Sequence, residues 1–178
     1  MTAEQMSRTL TRIAHEILEK NPGGGSLAVV GIHTRGAFLG ARIHKLLCEV
    51  GGKQYADGNL DISFYRDDVA ARGAVGVVPT TLQPVVKDTD LPFAIDGARI
   101  VLVDDVLYTG RTIRAAMNEL FDYGRPAKID LAVLTDRGGR ELPIAPSFCP
   151  HSLSLPAAQM LELERATDGG LSFRLTEK

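Results

Sequence analysis

Three short, nearly continuous apolar runs that alternate with helical patterns constrain the fold of this chain more than any other feature. The runs cover residues 27–32, 100–103 and 129–135. Apolar runs of this length are typical of strands that are buried on both faces of a sheet. Strands that alternate with helices predict an α/β fold, in which helices flank a central, mostly parallel sheet.

Helical periodicity predicts three helices around these strands. The first extends over about residues 2–20, and its apolar stripe consists of Met6, Leu10, Ile13, Ile17 and Leu18. The second and third extend over about residues 37–50 and 111–122. The glycine-rich segment after the first helix lacks the Lys-Ser/Thr ending of a P-loop, so we interpret it as an ordinary loop.

The remaining segments give weaker patterns. Alternating polar and apolar residues predict a strand over residues 61–65, and a turn at Asp168, Gly169 and Gly170 predicts a C-terminal hairpin of residues 159–164 and 171–175. Residues 66–91 have little periodicity and many charged, Gly and Pro residues. A loop of this length in a compact domain is typically functional, although part of it, over residues 76–82, is a candidate hairpin.

Composition limits the class of protein. The chain has 178 residues, 44% of them apolar, and a formal net charge of −2, which excludes a disordered chain and gives no global reason to expect a nucleic-acid partner. No apolar run is long enough to span a membrane. The N-terminus is polar, and the two cysteines, Cys48 and Cys149, form no disulfide framework. We therefore expect one domain over residues 1–178 in a cytoplasmic protein with reduced thiols.

Most of the chemical information lies in residues 100–112, which read IVLVDDVLYTGRT. The apolar run places Asp104 and Asp105 at the carboxyl end of its strand, the edge where open α/β sheets bind ligands. Gly110 and the hydroxyls of Thr109 and Thr112 then lead into a helix, whose first N–H groups can bind phosphate. Each feature alone is more often structural. Together they predict a ligand that combines a phosphate, a ribose and bound Mg²⁺.

Three further segments narrow this interpretation: YRDD at residues 65–68, DRG at 136–138 and RELPI at 140–144. With residues 100–112, they resemble the PyrR family of type I phosphoribosyltransferases, bifunctional pyrimidine-operon regulators that are also uracil phosphoribosyltransferases. The resemblance extends from about residue 8 to residue 144. It implies the type I phosphoribosyltransferase fold with a mobile hood loop over the substrate.

The resemblance implies that the ribose 5-phosphate of phosphoribosyl pyrophosphate (PRPP) is transferred to N1 of uracil, giving UMP and pyrophosphate. Thr109, Gly110, Arg111 and Thr112 match the cradle for the 5-phosphate. No dedicated metal site is implied. Mg²⁺ bound with PRPP keeps several waters and needs only one or two carboxylates, for which Asp104 and Asp105 are the candidates.

The pyrophosphate is expected to bind the loop of Thr34, Arg35 and Gly36, where Arg35 is a fixed cation. By resemblance, Arg66 in the hood of residues 66–91 reaches the same group when the hood closes and excludes water. Without the resemblance, Arg35 could equally be a surface arginine. The charged residues Arg66, Asp67 and Asp68 alone would not favour a hood over a solvated loop. The expected catalytic set is Arg35, Arg66, Asp104 and Asp105.

Two positions bear on the choice of base. Related purine enzymes have an Asp where this chain has Tyr108, so no carboxylate faces a purine imidazole nitrogen and a pyrimidine is favoured. The loop around Arg137 ends a strand at the ligand edge of the sheet, and by resemblance it binds the base, largely through backbone groups. A plain turn at Asp136, Arg137 and Gly138 is the structural alternative.

The family's second role is to bind the leader of its own operon's mRNA, and UMP tightens this binding. Four residues match the expected RNA surface: Thr11, Arg12, His15 and Arg140. A solvated helix face and a surface arginine are the structural alternative. Four others depart from the family pattern: Gly139, Ala145, His151 and Leu155. Residues 141–164 contain no Lys or Arg, and fewer phosphate contacts should weaken RNA binding.

Two alternatives to a bifunctional uracil enzyme remain at this point. One is an RNA-binding attenuation regulator with vestigial catalysis, and the other is a phosphoribosyltransferase for another base, such as a purine. The resemblance also implies a homodimer or a higher homo-oligomer.

Overall fold

The computed structural model describes residues 3–22, 25–63, 65, 88–156, 158–165 and 170–177. Its helices are α1 (Ala3–Lys20), α2 (Arg35–Gly51) and α3 (Arg111–Tyr123). Its strands are β1 (Leu27–Ile32), β2 (Ala56–Leu60), β3 (Arg99–Leu107), β4 (Lys128–Asp136), β5 (His151–Ser152), β6 (Gln159–Arg165) and β7 (Leu171–Glu177). The predicted helices, the three central strands and the hairpin are confirmed, with differences of a few residues at their ends.

Five strands form one parallel sheet in the order β2-β1-β3-β4-β5. β6 and β7 form a separate antiparallel hairpin. The central strands share one register, since Leu27 pairs with Arg99 and Arg99 pairs with Lys128. The carboxyl ends of β1, β3 and β4 therefore lie at the same edge of the sheet.

Both faces of the sheet are covered, which explains why its strands read as continuous apolar runs. Val101 and Val103 pack into a cluster that contains the buried stripes of α1 and α2. Ile100 and Leu102 point to the opposite face and pack into a second cluster that contains Leu120 of α3. Two residues of the C-terminal hairpin, Leu163 and Leu171, are buried in the first cluster, so the hairpin is part of that layer.

The predicted strand over residues 61–65 is wrong, because the strand is β2, which ends at residue 60. The carboxylate of Asp61 accepts hydrogen bonds from the N–H (3.0 Å) and the hydroxyl (2.7 Å) of Ser63, which turns the chain. β2 contains Asp57, Gly58 and Asn59, residues that are depleted in strands. Pairing with β1 overrides this local preference.

β3 is longer than the apolar run predicts. The strand continues through Asp104 and Asp105 to Leu107, and the pairing with β4 runs from Arg99 to Leu107. The two carboxylates therefore lie within the strand, and two further residues, Val106 and Leu107, follow them before it ends. β5, which pairs with Thr135 and Asp136 of β4, has only two residues and left no detectable pattern in the sequence.

Both cysteines are free and partly buried. None of the helices in the described ranges combines the length and hydropathy that a bilayer-spanning segment needs. The predicted hood contains Arg66 and the candidate hairpin over residues 76–82, and both lie outside the described residues. Most of the predicted hairpin turn at residues 168–170 also lies outside them.

Candidate active site

Three loops meet at the carboxyl edge of the sheet. They follow β1 (residues 33–34), β3 (residues 108–110) and β4 (residues 137–144). Two of them lead directly into helices, α2 and α3, whose first N–H groups lack partners within the helix. The candidate residues from distant parts of the sequence are brought together here.

The loop after β1 lies directly on the backbone of β3. A Cβ atom added to Gly36 would stand 2.3 Å from the carbonyl oxygen of Val103, and one added to Gly31 would stand 2.5 Å from Cα of Ala37. Only glycine permits such close backbone approaches. The His33–Thr34 peptide bond is cis. The two glycines therefore place the first turn of α2, with Arg35, against the strand that carries the two aspartates.

Arg35 lies between two carboxylates. Its guanidinium is 3.9 Å from Oδ2 of Asp105 and 3.3 Å from Oε1 of Glu162, which belongs to β6. The Arg35 side chain is 43% exposed. The resemblance places Arg35 and Asp105 in the same site. Nothing in the local sequence around Glu162 indicates that the hairpin reaches this loop.

Asp104 and Asp105 are buried side by side. Oδ1 of Asp104 accepts a hydrogen bond from the N–H of Asp105 (2.9 Å), and Oδ1 of Asp105 accepts one from the N–H of Val106 (2.9 Å). Among the described residues, Oδ2 of Asp105 is buried without a hydrogen-bond partner, since Arg35 approaches it only to ion-pair distance. Burial, and then the charge of Asp105, raises the pKa of Asp104 well above its usual value.

The loop after β3 has the geometry of an anion site. Gly110 adopts a positive φ of 92° immediately before α3, a conformation that favours glycine. The hydroxyl of Thr109 accepts a hydrogen bond from the N–H of Arg111 (3.3 Å), and Nε of Arg111 donates to Glu141 (2.7 Å). Thr112 lies in the first turn of the same helix. The four residues expected around the 5-phosphate are therefore contiguous at a helix N-terminus.

Arg140 joins this loop to the loop after β4. Its guanidinium donates to the carbonyls of Tyr108 (2.6 Å) and Ile144 (2.9 Å), lies 3.5 Å from the carbonyl of Leu107, and pairs with Asp136. This ion pair holds the pKa of Asp136 below its usual value. Arg140 therefore fixes the backbone of the site, a role that sequence reasoning missed. Its predicted contact with RNA stays a prediction.

The loop after β4 packs on Tyr108. The buried guanidinium of Arg137 stacks 3.9 Å from the centre of the Tyr108 ring, and its backbone N–H donates to the carbonyl of Leu107 (3.0 Å). Gly139 adopts a positive φ of 73°, and a Cβ atom there would stand 2.4 Å from the Tyr108 ring. The Arg137 side chain thus supports Tyr108, while its buried Nε has no hydrogen-bond partner among the described residues.

The remaining candidates lie on α1. Arg12 and His15 are exposed, and Thr11 is partly exposed. The Arg12 guanidinium is 3.4 Å from Glu16, an exposed pair of the kind that contributes little stability. A groove of about 780 Å³ separates α1 from residues 150–155 and the hairpin, and its lining includes Arg8, His151, Leu153 and Leu155. The groove therefore places α1 beside His151 and Leu155, two of the positions that depart from the family pattern.

Comparisons with known proteins identify the domain family and the fold. Residues 2–151 match the phosphoribosyl transferase domain family. A hypoxanthine phosphoribosyltransferase from Trypanosoma cruzi shares the fold with a TM-score of 0.62 at 17% identity, covering 89% of this chain and 81% of that one. One from Staphylococcus aureus gives a TM-score of 0.61 at 18% identity, covering 86% and 76%.

Curated relatives named "Bifunctional protein PyrR" are more similar in sequence. The protein from Listeria monocytogenes serotype 4a (strain HCC23) is 46% identical, covering 94% of this chain and 88% of the relative. The one from Deinococcus deserti is 45% identical (98% and 92%), and the one from Roseiflexus sp. (strain RS-1) is 47% identical (99% and 94%). These matches extend over nearly all of both chains, so the chain belongs to the PyrR family of phosphoribosyltransferases.

Proposed function

We propose that this phosphoribosyltransferase transfers the ribose 5-phosphate of PRPP to N1 of uracil, giving UMP and pyrophosphate. The observation that carries the proposal is the convergence of Arg35, the buried pair Asp104 and Asp105, and the N-terminus of α3 at one edge of the sheet. A cation, paired carboxylates and an anion cradle match the pyrophosphate, ribose and phosphate parts of PRPP.

The ribose is assigned to the aspartates. Oδ2 of Asp105 is a buried acceptor for which the described residues provide no hydrogen-bond donor. Leaving such an acceptor without a donor costs about 1–3 kcal/mol, so a ribose hydroxyl is a favourable partner. Burial is the main cause of the raised pKa of Asp104, and repulsion from Asp105 is the second cause. The repulsion decreases when hydrogen-bond donors or a cation approach the two carboxylates. The carboxylate oxygens of Asp104 and Asp105 are therefore suitable ligands for Mg²⁺ bound with PRPP.

The phosphates are assigned to the two helix N-termini. Thr109, Gly110, Arg111 and Thr112 hold the 5-phosphate, where backbone N–H groups and the helix dipole favour an anion. Thr34, Arg35 and Gly36 hold the pyrophosphate, and Arg35 balances the charge that develops on it as it leaves. Mg²⁺, held through Asp104 or Asp105, supplies further positive charge to the pyrophosphate when bound. Arg66, outside the described residues, completes the proposed set of cations.

The base is assigned to the loop around Arg137. Its backbone at Gly139 lies against the ring of Tyr108. Related purine enzymes carry an Asp at the position of Tyr108, so here no carboxylate from this position faces a purine ring nitrogen. These features favour uracil over hypoxanthine and guanine.

The test is conversion of radiolabelled uracil to UMP with PRPP and Mg²⁺, with orotate, hypoxanthine and guanine in parallel. Arg35→Ala and Asp105→Asn should reduce turnover at least a hundredfold while the protein stays folded. Lys45→Ala is the matched control, because Lys45 is an exposed cation of α2 that pairs with Glu49 at 3.9 Å. Full activity of both site variants, or equal use of hypoxanthine, would refute the proposal.

A second function rests on the exposed face of α1. We propose that Thr11, Arg12 and His15, with Arg140, bind pyrimidine-operon leader RNA and that UMP tightens the complex. Breaking the weak pair between Arg12 and Glu16 frees a cation for phosphate at little cost. The apolar groove beside α1, with His151 and Leu155, predicts fewer phosphate contacts on the neighbouring surface.

Filter binding with leader RNA, with and without UMP, tests this function. Arg12→Ala should weaken binding and lower the salt slope by about 0.7 to 0.9, the contribution of one phosphate contact. Lys45→Ala again serves as the control. Weak, sequence-indifferent binding that UMP does not change would leave an enzyme without the regulatory role. Tight UMP-dependent binding without any turnover would instead indicate a regulator with vestigial catalysis.

The oligomeric state is also a proposal. We expect a homodimer or a larger homo-oligomer, which sedimentation would detect. Particles of only about the 19.2 kDa chain mass would contradict this.

A further inference from the structure

The C-terminal hairpin places a carboxylate in the pyrophosphate loop. Oε1 of Glu162 is 3.3 Å from the guanidinium of Arg35, closer than Oδ2 of Asp105 at 3.9 Å. Leu163, the next residue of β6, is 5% exposed, and Leu171 on β7 is 4% exposed. Because both leucines pack into the cluster that contains α1 and α2, the core anchors the backbone of the hairpin next to Glu162.

Within the described part of the chain, Arg35 is the only cation at ion-pair distance from Glu162. Arg174, which lies opposite Glu162 in the hairpin register, pairs instead with Glu164 at 3.3 Å. The Glu162 side chain is 32% exposed, so it can leave Arg35 and turn toward water. The carboxylate is therefore held at Arg35 by this pair alone and is not locked there.

We propose that Glu162 competes with pyrophosphate for Arg35. The carboxylate occupies the cation when no anion is bound, and it must release Arg35 when the pyrophosphate group of PRPP arrives. Once that group is bound, Glu162 is a nearby negative charge that repels it. The inference rests on the proposed role of Arg35 in pyrophosphate binding.

The competition has a consequence for turnover. Tight binding of the product pyrophosphate slows its release, and product release is the rate-limiting step in many enzymes. A carboxylate that recaptures Arg35 weakens the hold on the departing pyrophosphate and helps its release. Glu162 is thus a positioning residue that acts through Arg35, and it need not contact the reacting atoms.

The direct test measures binding of inorganic pyrophosphate with MgCl₂ by calorimetry. Glu162→Gln keeps a side-chain oxygen that can accept from Arg35 but removes the charge, and it should lower the Kd of pyrophosphate on the order of fivefold, the equivalent of one partly exposed ion pair. Glu162→Ala should lower the Kd at least as much. Glu164→Gln is the matched control, because its pair with Arg174 has the same length and lies two residues along the strand.

Kinetics separate this role from a purely structural one. Glu162→Gln should lower the KM for PRPP and strengthen product inhibition by pyrophosphate. A loosened hairpin would instead raise the KM for PRPP and weaken the product inhibition. Unchanged or weaker pyrophosphate binding in both Glu162 variants would overturn the inference. Arg35→Ala separates the competition by Glu162 from the proposed role of Arg35 in pyrophosphate binding. If it weakens pyrophosphate binding while the Glu162 variants do not tighten it, only this inference fails. If it leaves binding unchanged, the proposed role of Arg35 fails as well.

Discussion

Gly36→Ala should disable the site by displacing the loop that carries Arg35. The added Cβ would stand 2.3 Å from the carbonyl oxygen of Val103 and 3.2 Å from Cα of Asp104. The shortest carbon–oxygen contacts in proteins are about 3.3 Å, so the loop or β3 must move by about 1 Å. Both neighbours are backbone atoms of a central strand, which cannot swing aside as a flexible side chain could.

The displacement gives two expected magnitudes. A shift of about 1 Å in a positioning element costs about a hundredfold in rate, so kcat/KM for PRPP should fall by about that factor. Inserting a methyl group into a packed contact costs about 1–3 kcal/mol in the free energy of unfolding. The loss of activity should therefore be larger than the fraction of unfolded protein can explain.

Uracil turnover and urea unfolding on the same preparation test this prediction. Gly25→Ala is the matched control, since a Cβ atom there meets nothing within 4 Å. We expect the control to retain the activity and stability of the parent protein. If Gly36→Ala also does, the loop after β1 is not held against β3 by this contact, and the placement of Arg35 derived from it is incorrect.

Three further predictions concern stability. Arg140→Gln should cost about 2 kcal/mol, because backbone carbonyls lose donors. Arg140 also holds the pKa of Asp136 below its usual value. The parent protein therefore loses stability as pH falls through the folded pKa of Asp136. Urea unfolding at several pH values should show that the Arg140 variant loses less stability over this pH range. Asp104→Asn should raise the Tm at neutral pH while lowering turnover. Because the pKa of Asp104 is higher in the folded than in the unfolded protein, the parent loses stability as pH rises from the unfolded toward the folded pKa. The Asp104→Asn variant should not show this loss. A Tm of the variant below that of the parent would contradict the prediction. Leu163→Ala should destabilise the protein by about 2–5 kcal/mol in urea unfolding, and a loss below 1 kcal/mol would show that the hairpin is not anchored there.

The parts of the fold that follow from local pattern were predictable. The stripe of α1 repeats every three to four residues because one face packs on the sheet, and its members Leu10 and Ile17 are fully buried. The runs in β1, β3 and β4 are continuous because both faces of the sheet are covered. Both patterns arise from burial alone, and the spacing of apolar residues in the sequence therefore predicts them.

The strand β2 was not predictable from its own residues. Its five residues, ADGNL, include three that favour turns, and the alternation in the following segment was more typical of a strand. β2 is held by hydrogen bonds to β1 on one side and by the pairing of Asn59 with Asp90 on the other. Tertiary pairing therefore outweighs propensity at this edge.

The site was predictable where its residues adjoin a strand end and not where they arrive from elsewhere. Asp105 and Thr109 follow an apolar run, so their place at the sheet edge could be inferred from the sequence. Glu162 reaches Arg35 across 127 positions, and Arg140 reaches the carbonyl of Tyr108 across 32. Such contacts are made by packing of the hairpin and the loop after β4, which no local pattern encodes.

The edges of the sheet have a consequence for how copies of the chain can associate. Asn59 and Asp90 exchange two backbone hydrogen bonds, of 2.8 and 2.9 Å, at the β2 edge, and β5 at the opposite edge is only two residues long. Long open edges are templates for aggregation, and short or covered edges suppress it. In the described part of the chain, the parallel sheet therefore offers little for a second copy to extend, and an ordered oligomer has to form through helices, loops or the hairpin.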